Sequence, residues 1–199
     1  MIVEIHPRQI KGKWQDGYAL DFHTLSSIFV GHDGYGHPRF DTTRSALGEL
    51  LYKLKYRADT ADIESIAETV VEFLAKKWTI EVDLIVPVPP SNTARKRQPV
   101  LEVAKAISVR TGIALCSSCI QKVRQTQQLK NIYDYEKRAS VLQDAFSIDK
   151  PRITGKRLLL FDDLFRSGAT MNTITERLIE DGGAETVYAL TLTRTQRNL

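Results

Sequence analysis

The chain has 199 residues, with 28 Lys or Arg against 24 Asp or Glu, a formal charge of +4. At 42% hydrophobic and 26% charged residues it has the make-up of a folded domain with a full core, which excludes a disordered chain. An excess of four charges is too small to demand a nucleic-acid partner, yet it suits ligands that carry phosphate.

The opening residues, Met1-Ile2-Val3-Glu4-Ile5-His6, show neither the basic region nor the apolar core of a signal peptide. No apolar stretch approaches the roughly 18 residues of a membrane span, so a cytoplasmic protein is expected. Residues 1–42 read as a small β-rich appendage and residues 43–199 as an α/β domain. In the appendage, Ile10–Trp14 and Tyr18–His23 alternate as a hairpin, with Asp16-Gly17 supplying the turn. The glycine-rich stretch Gly31–Pro38 reads as a loop. Thr43 caps a helix whose Leu47, Leu50, Leu51 and Leu54 share a face, and a second helix runs over about 61–77. Lys55-Tyr56-Arg57 suits either the acceptor side of a site or favourable charge closing the first of these helices, and the second is expected.

Val82–Pro89 is too apolar to alternate and reads as a buried strand, followed by a helix through about Arg110. A weaker strand covers Ile113 to Ser117. A polar segment runs from Lys122 to Lys137, and a short helix follows near 137–142. The final unit is strand Arg157–Phe161, helix from about Ser167 to Glu180, Gly182-Gly183 as a stop, and strand Thr186–Leu192. Strand–helix–strand alternation predicts a mainly parallel, twisted sheet with helices on both faces. Cys116 and Cys119 make a lone C-x-x-C without a second ligand pair, expected as reduced thiols rather than a zinc site. His23, His32 and His37 fit no defined metal spacing.

The informative stretch is Leu158-Leu159-Leu160-Phe161-Asp162-Asp163-Leu164-Phe165-Arg166-Ser167-Gly168-Ala169-Thr170. In an open α/β sheet, ligands bind beyond the carboxyl ends of strands, where this loop lies. Ser167, Gly168, Ala169 and Thr170 open a helix and offer backbone N–H groups, hydroxyls and a positive dipole end to a phosphate. Asp162 and Asp163 would repel that phosphate, whereas sugar hydroxyls suit groups that only accept hydrogen bonds. One phosphate beside one diol describes a ribose 5-phosphate.

On these residues the chain resembles the type I phosphoribosyltransferases, marked by an apolar strand, two acids and a Thr-rich loop. More narrowly it is similar to the ComF-like family through Leu54-Lys55-Tyr56-Arg57, Asp83–Pro89, Arg124–Leu129, Arg138, Ala145-Phe146 and Gly183–Val187. It departs from that family in lacking the N-terminal four-cysteine zinc element. It also has Arg95-Lys96-Arg97-Gln98-Pro99-Val100 after the Pro-rich strand, and Arg166 where Thr is usual.

The resemblance implies a Mg²⁺-dependent enzyme in which a nitrogen nucleophile displaces pyrophosphate from phosphoribosyl pyrophosphate (PRPP). Its acceptor would be a small molecule such as a nucleobase, and a homodimer would be in keeping. Residue by residue, Asp162 and Asp163 take the ribose hydroxyls, with Mg²⁺ nearby on the substrate's own oxygens. Arg166, Ser167, Gly168, Ala169 and Thr170 take the 5-phosphate, and Ser91, Arg95 and Arg97 the pyrophosphate. Arg124, Gln128 and Lys130 lie in a flap. The alternative is a PRPP- or nucleotide-binding module without turnover, a sensor or a competence partner. Arg166 and the altered Arg95–Val100 run favour it.

Overall fold

The run Leu158–Phe161 is fully buried because it lies inside a sheet covered on both faces. The computed structural model describes residues 1–56, 61–90, 97–123 and 145–196. Its strands are β1 (Arg8–Gln9), β2 (Asp16–Phe22), β3 (Thr24–His32), β4 (Pro38–Arg44) and β5 (Leu84–Pro87), then β6 (Ala114–Leu115), β7 (Ile120–Lys122), β8 (Phe146–Ile148), β9 (Arg157–Phe165) and β10 (Thr186–Arg194). The helices are α1 (Ala46–Tyr56), α2 (Ala61–Lys76), α3 (Pro99–Thr111), α4 (Lys150–Ile153) and α5 (Ala169–Glu180).

Six strands form one sheet in the order β1-β2-β10-β9-β5-β6. From β2 to β6 every pairing is parallel, and β1 runs antiparallel at the edge. The pleat then assigns each residue a side. Leu158, Leu160 and Ala189 pack with Met171, Ile174 and Leu178 of α5. Leu159, Phe161 and Leu190 pack with Leu47 and Leu51 of α1, Ile66 and Val70 of α2, and Val103 and Ile107 of α3. The mainly parallel α/β architecture is therefore present. At the base of β9, Arg157 reaches Asp83 at 3.1 Å, and its hydrogen bonds hold that carboxyl down to about 2.

Several local expectations are corrected. The first hairpin exists, but Gly17 lies within β2 and has no positive φ; the connection spans residues 10–15. Gly17 is glycine for space: a Cβ there would stand 2.6 Å from Trp14 Nε1 and 2.7 Å from the Ala189 carbonyl oxygen. Within residues 1–42, β1 and β2 belong to the main sheet, and only β3 and β4 form a separate two-stranded ribbon. Much of the Gly31–Pro38 loop is absorbed into those strands, leaving a turn over 33–37. Ser45, not Thr43, caps α1: its hydroxyl accepts the Gly48 N–H at 3.0 Å, and Thr43 lies in β4. β9 runs four residues beyond Phe161, and α5 begins at Ala169.

The cysteines are also corrected. Cys116 and Cys119 are bonded to each other across the turn between β6 and β7, with Cα atoms 5.5 Å apart. A C-x-x-C spacing in a tight turn brings its Cβ atoms within disulfide reach, which the reduced-thiol expectation overlooked. The polar segment and short helix expected over 124–142 lie outside the described residues. Among the described residues no helix is long and apolar enough to cross a membrane.

Gly17→Ala is expected to lower stability by about 2 kcal/mol, because neither the indole nor the β10 backbone can retreat without disturbing the sheet. Urea denaturation followed by tryptophan fluorescence measures it; an unchanged midpoint would show that the strand pair has slack.

Candidate active site

At the carboxyl end of the parallel sheet lies a cleft of about 770 Å³. Asp162, Asp163, Arg166 and Thr170 line it, with Lys55 and Tyr56 of α1, Pro87–Pro90 at the end of β5, Gln98–Leu101 at the start of α3, and Ser117 and Ile120–Lys122 opposite. A smaller hollow of about 170 Å³, walled by Asp162 and residues 164–171, adjoins it.

The two acids are neighbours in sequence but not in direction. Asp163 continues the Leu159–Phe161 side of β9 and meets Lys55 Nζ at 2.6 Å, both side chains being less than one-fifth exposed. Asp162 continues the Leu158–Leu160 side and lines both cavities. Its carboxylate accepts the Asp163 N–H at 2.8 Å. Burial, and then the charge of Asp163, pushes Asp162 up to about 7.

Lys55 is the site residue that sequence reasoning missed. It was read as charge closing a helix, yet it reaches into the cleft. The available signal was its register: Lys55 stands four residues after Leu51 and eight after Leu47, on the buried stripe of α1. A charge on that stripe requires a partner, and Asp163 is it.

The loop after β9 is shaped from beneath. Phe165 is buried edge-on to Trp14, with centroids 6.1 Å apart. Gly168 sits over its ring with φ +78°, and a Cβ there would be 2.9 Å from Phe165 Cε2. The glycine therefore serves a left-handed turn pressed onto an aromatic ring, rather than only a close approach to ligand. Gly168 supplies no capping side chain to α5, the Ala169 N–H reaches the Ser167 hydroxyl at 3.4 Å, and the start of the helix walls the smaller hollow. Arg166, Ser167, Ala169 and Thr170 are exposed around that rim.

His23 lies at the end of β2, beside this site. The Thr193 hydroxyl donates to the Asp163 carbonyl at 3.0 Å and so accepts from His23 Nδ1 at 3.3 Å, which leaves Nε2 with its lone pair. Burial, followed by the charges of Lys55 and Arg44, lowers the histidine's pKa. On the far wall, burial lowers that of Lys122 as well.

Of the residues expected to bind pyrophosphate, Arg97 stands off the cleft and pairs with Glu102 at 3.8 Å. The first turn of α3 is proline- and valine-rich toward the cleft, so the guanidinium turns to the acid one turn on. Ser91 and Arg95, and the flap residues Arg124, Gln128 and Lys130, lie outside the described residues. Among the described residues no group of three His, Cys, Asp or Glu is placed to hold a metal ion.

No protein-family model matches the sequence, and no curated protein does. Similar solved structures include an adenine phosphoribosyltransferase from Thermoanaerobacter pseudethanolicus, at 16% identity over 85% of this chain and 94% of that one, TM-score 0.46. The glutamine PRPP amidotransferase of B. subtilis shows 16% identity over 94% of this chain and 48% of that one, TM-score 0.48. The Leishmania donovani UMP synthase shows 19% over 84%, TM-score 0.44, and this chain spans 28% of its length.

A carboxylate whose pKa is raised on folding costs stability above its unfolded value, and the cost grows until the folded value is passed. The parent should therefore gain stability as pH falls from about 7 to about 4, as far as Asp162 is concerned. Asp162→Asn is expected to raise stability at pH 8 by about 2 kcal/mol, allowing for water in the cleft, and by almost nothing at pH 4. Thermal melts at the two pH values check this; equal effects at both would mean that Asp162 ionises normally.

Proposed function

We propose that the cleft is the substrate site of a PRPP-dependent phosphoribosyltransferase. The observation that carries this reading is the smaller hollow itself. It brings the glycine-led start of a helix and the buried Asp162 carboxylate together at the mouth of a larger cleft. In this reading the 5-phosphate rests on the amides of Ser167 to Thr170, with Arg166 at the rim as a charge-assisted donor. Asp162 accepts from the ribose hydroxyls. Asp163, held by Lys55, buttresses that position from the other face and is a structural neighbour of the ribose more than a ligand to it.

The chemistry then needs little beyond placement. A nitrogen lone pair of the acceptor bonds to the anomeric carbon, and the carbon–oxygen bond to pyrophosphate breaks. Pyrophosphate leaves with the electron pair, and the proton of the attacking nitrogen passes to solvent. Positive charge develops on the ring as the leaving group departs, and the nearby Asp162 carboxylate favours it electrostatically. Mg²⁺, as it binds with PRPP, would neutralise the leaving pyrophosphate. The acids suit an ion held by substrate oxygens rather than by the protein, since they diverge and one is already paired.

Tyr56, Pro89, Pro90, Val100 and Leu101 give the cleft an apolar wall, which suits a flat nitrogen heterocycle such as a nucleobase. The second reading, a module that binds PRPP without turnover, draws on Arg97 standing away from the cleft.

Addition of PRPP with Mg²⁺ is expected to raise the melting temperature, and one member of a nucleobase panel to release pyrophosphate. Stabilisation without release from any base would assign the non-catalytic reading, and no stabilisation would sink both. Asp162→Ala is expected to weaken PRPP binding at least about tenfold in calorimetry while the protein stays folded.

A further inference from the structure

The far wall of the cleft lies outside the main sheet. Ile120, Gln121 and Lys122 of β7 line it, and β7 pairs with β8 in a two-stranded sheet of their own. The chain reaches that pair from β6, the edge strand of the main sheet, through the turn that holds Cys116 and Cys119. The disulfide across this turn therefore closes the joint between the sheet and the wall.

Each half of the joint has its own anchor. The Cys116 N–H donates to the Ile85 carbonyl at 2.9 Å, and the Cys119 carbonyl accepts the Asp149 N–H at 2.9 Å. Neither hydrogen bond involves sulfur, so both outlast reduction. With two residues between the cysteines, the cross-link takes little freedom from the unfolded chain, because that gain grows with the size of the closed loop. Its effect is local. The two cysteines are also unequally covered: Cys119 is fully buried, whereas Cys116 keeps 6% of its surface exposed. Thiol–disulfide exchange needs one reachable sulfur and a partner that leaves, which is the asymmetry found here. Both belong to a packed cluster with Val88, Ile120 and Phe146, and Val88 and Ile120 line the cleft. Two thiols need more room than one bond, and in a close-packed interior that room comes from these neighbours.

We propose that Cys116 and Cys119 are a redox-modification site, opened and re-formed by exchange with dithiols, whose state sets how firmly the β7 wall is held to the sheet. A thiolate of the dithiol attacks Cys116 Sγ, and the disulfide breaks with its electron pair on Cys119 Sγ, which takes up a proton. The second thiolate of the dithiol then displaces Cys116 Sγ from the mixed disulfide, and that sulfur is protonated in turn. The dithiol leaves as a disulfide, and the protein has gained two electrons and two protons. The inference concerns the wall and is independent of what the cleft binds.

The chain has two cysteines in all, so maleimide uptake by the full chain, read as intact mass, reports on this pair alone. Protein held in oxidised glutathione is expected to take up none, and after dithiothreitol without denaturant to take up two. Return to the oxidant should restore the first result. Hydrogen–deuterium exchange on the same two states reads the wall. Reduction should speed exchange at the Ile120–Lys122 amides at least about tenfold and leave Leu158–Phe161 within about twofold. Cys116→Ser combined with Cys119→Ser should exchange like the reduced parent in either buffer, and if that variant does not fold, the two states of the parent decide. Thiols that stay free or carry glutathione in the oxidant overturn the inference, as does a bond that dithiothreitol opens only in denaturant. So does exchange in β7 that is equal in both states, or that rises no more than exchange in β9.

Discussion

Side chains alternate along a strand, so Asp162 and Asp163 at the end of β9 cannot face one partner, and the site depends on that division. One carboxylate enters the helix-covered side, where Lys55 neutralises it at 2.6 Å. The other lines both the cleft and the smaller hollow, and burial, followed by the charge of Asp163, pushes its pKa up to about 7 against the opposing pull of Lys55. The division is partial, since the charge of Asp163 still raises the pKa of Asp162, second only to burial. The pleat separates them, with a lysine from the first helix as counterweight.

The price is local. An acid held partly out of water beside another acid is a poor contribution to stability, and the molecule carries it directly after the apolar, fully buried run Leu158–Phe161. The loop beyond is braced in a similar spirit. Phe165 lies between Trp14 and Gly168, so the turn that presents the amides of α5 is seated on rings from the core. Lys13 adds a backbone hydrogen bond to Asn172 at 2.8 Å and an ion pair to Glu176, tying the first hairpin's connection to the same helix. In the proposed reading, a cradle braced in this way has little to lose when a phosphate arrives.

The architecture was legible where one physical signal dominated. The run Leu158–Phe161 is buried on both sides and could be little other than an inner strand, and the 3.6-residue stripes of α1 and α2 state their own buried faces. Legibility failed where tertiary contact overrides a local rule. Gly17 resembles a turn glycine but is a packing glycine, and Lys55 resembles a helix-end charge but answers an acid more than a hundred residues away. Ser45 and Thr43 are equally good caps on paper; a second hydrogen bond, from the Ser45 hydroxyl to the Phe22 carbonyl, selects the serine. The direction of each acid followed only from the true length of β9, because a strand ending at Phe161 leaves Asp162 and Asp163 in a loop without alternation.

That serine hydrogen bond has an architectural consequence. It brings the end of β2 and the start of α1 together, 2.5 Å from hydroxyl to carbonyl, with the β3–β4 ribbon looped out between them. The core is thus closed behind its own insertion, as a doorway stays shut behind a balcony. A short connector in place of the ribbon would leave sheet, helices and cleft joined as they are.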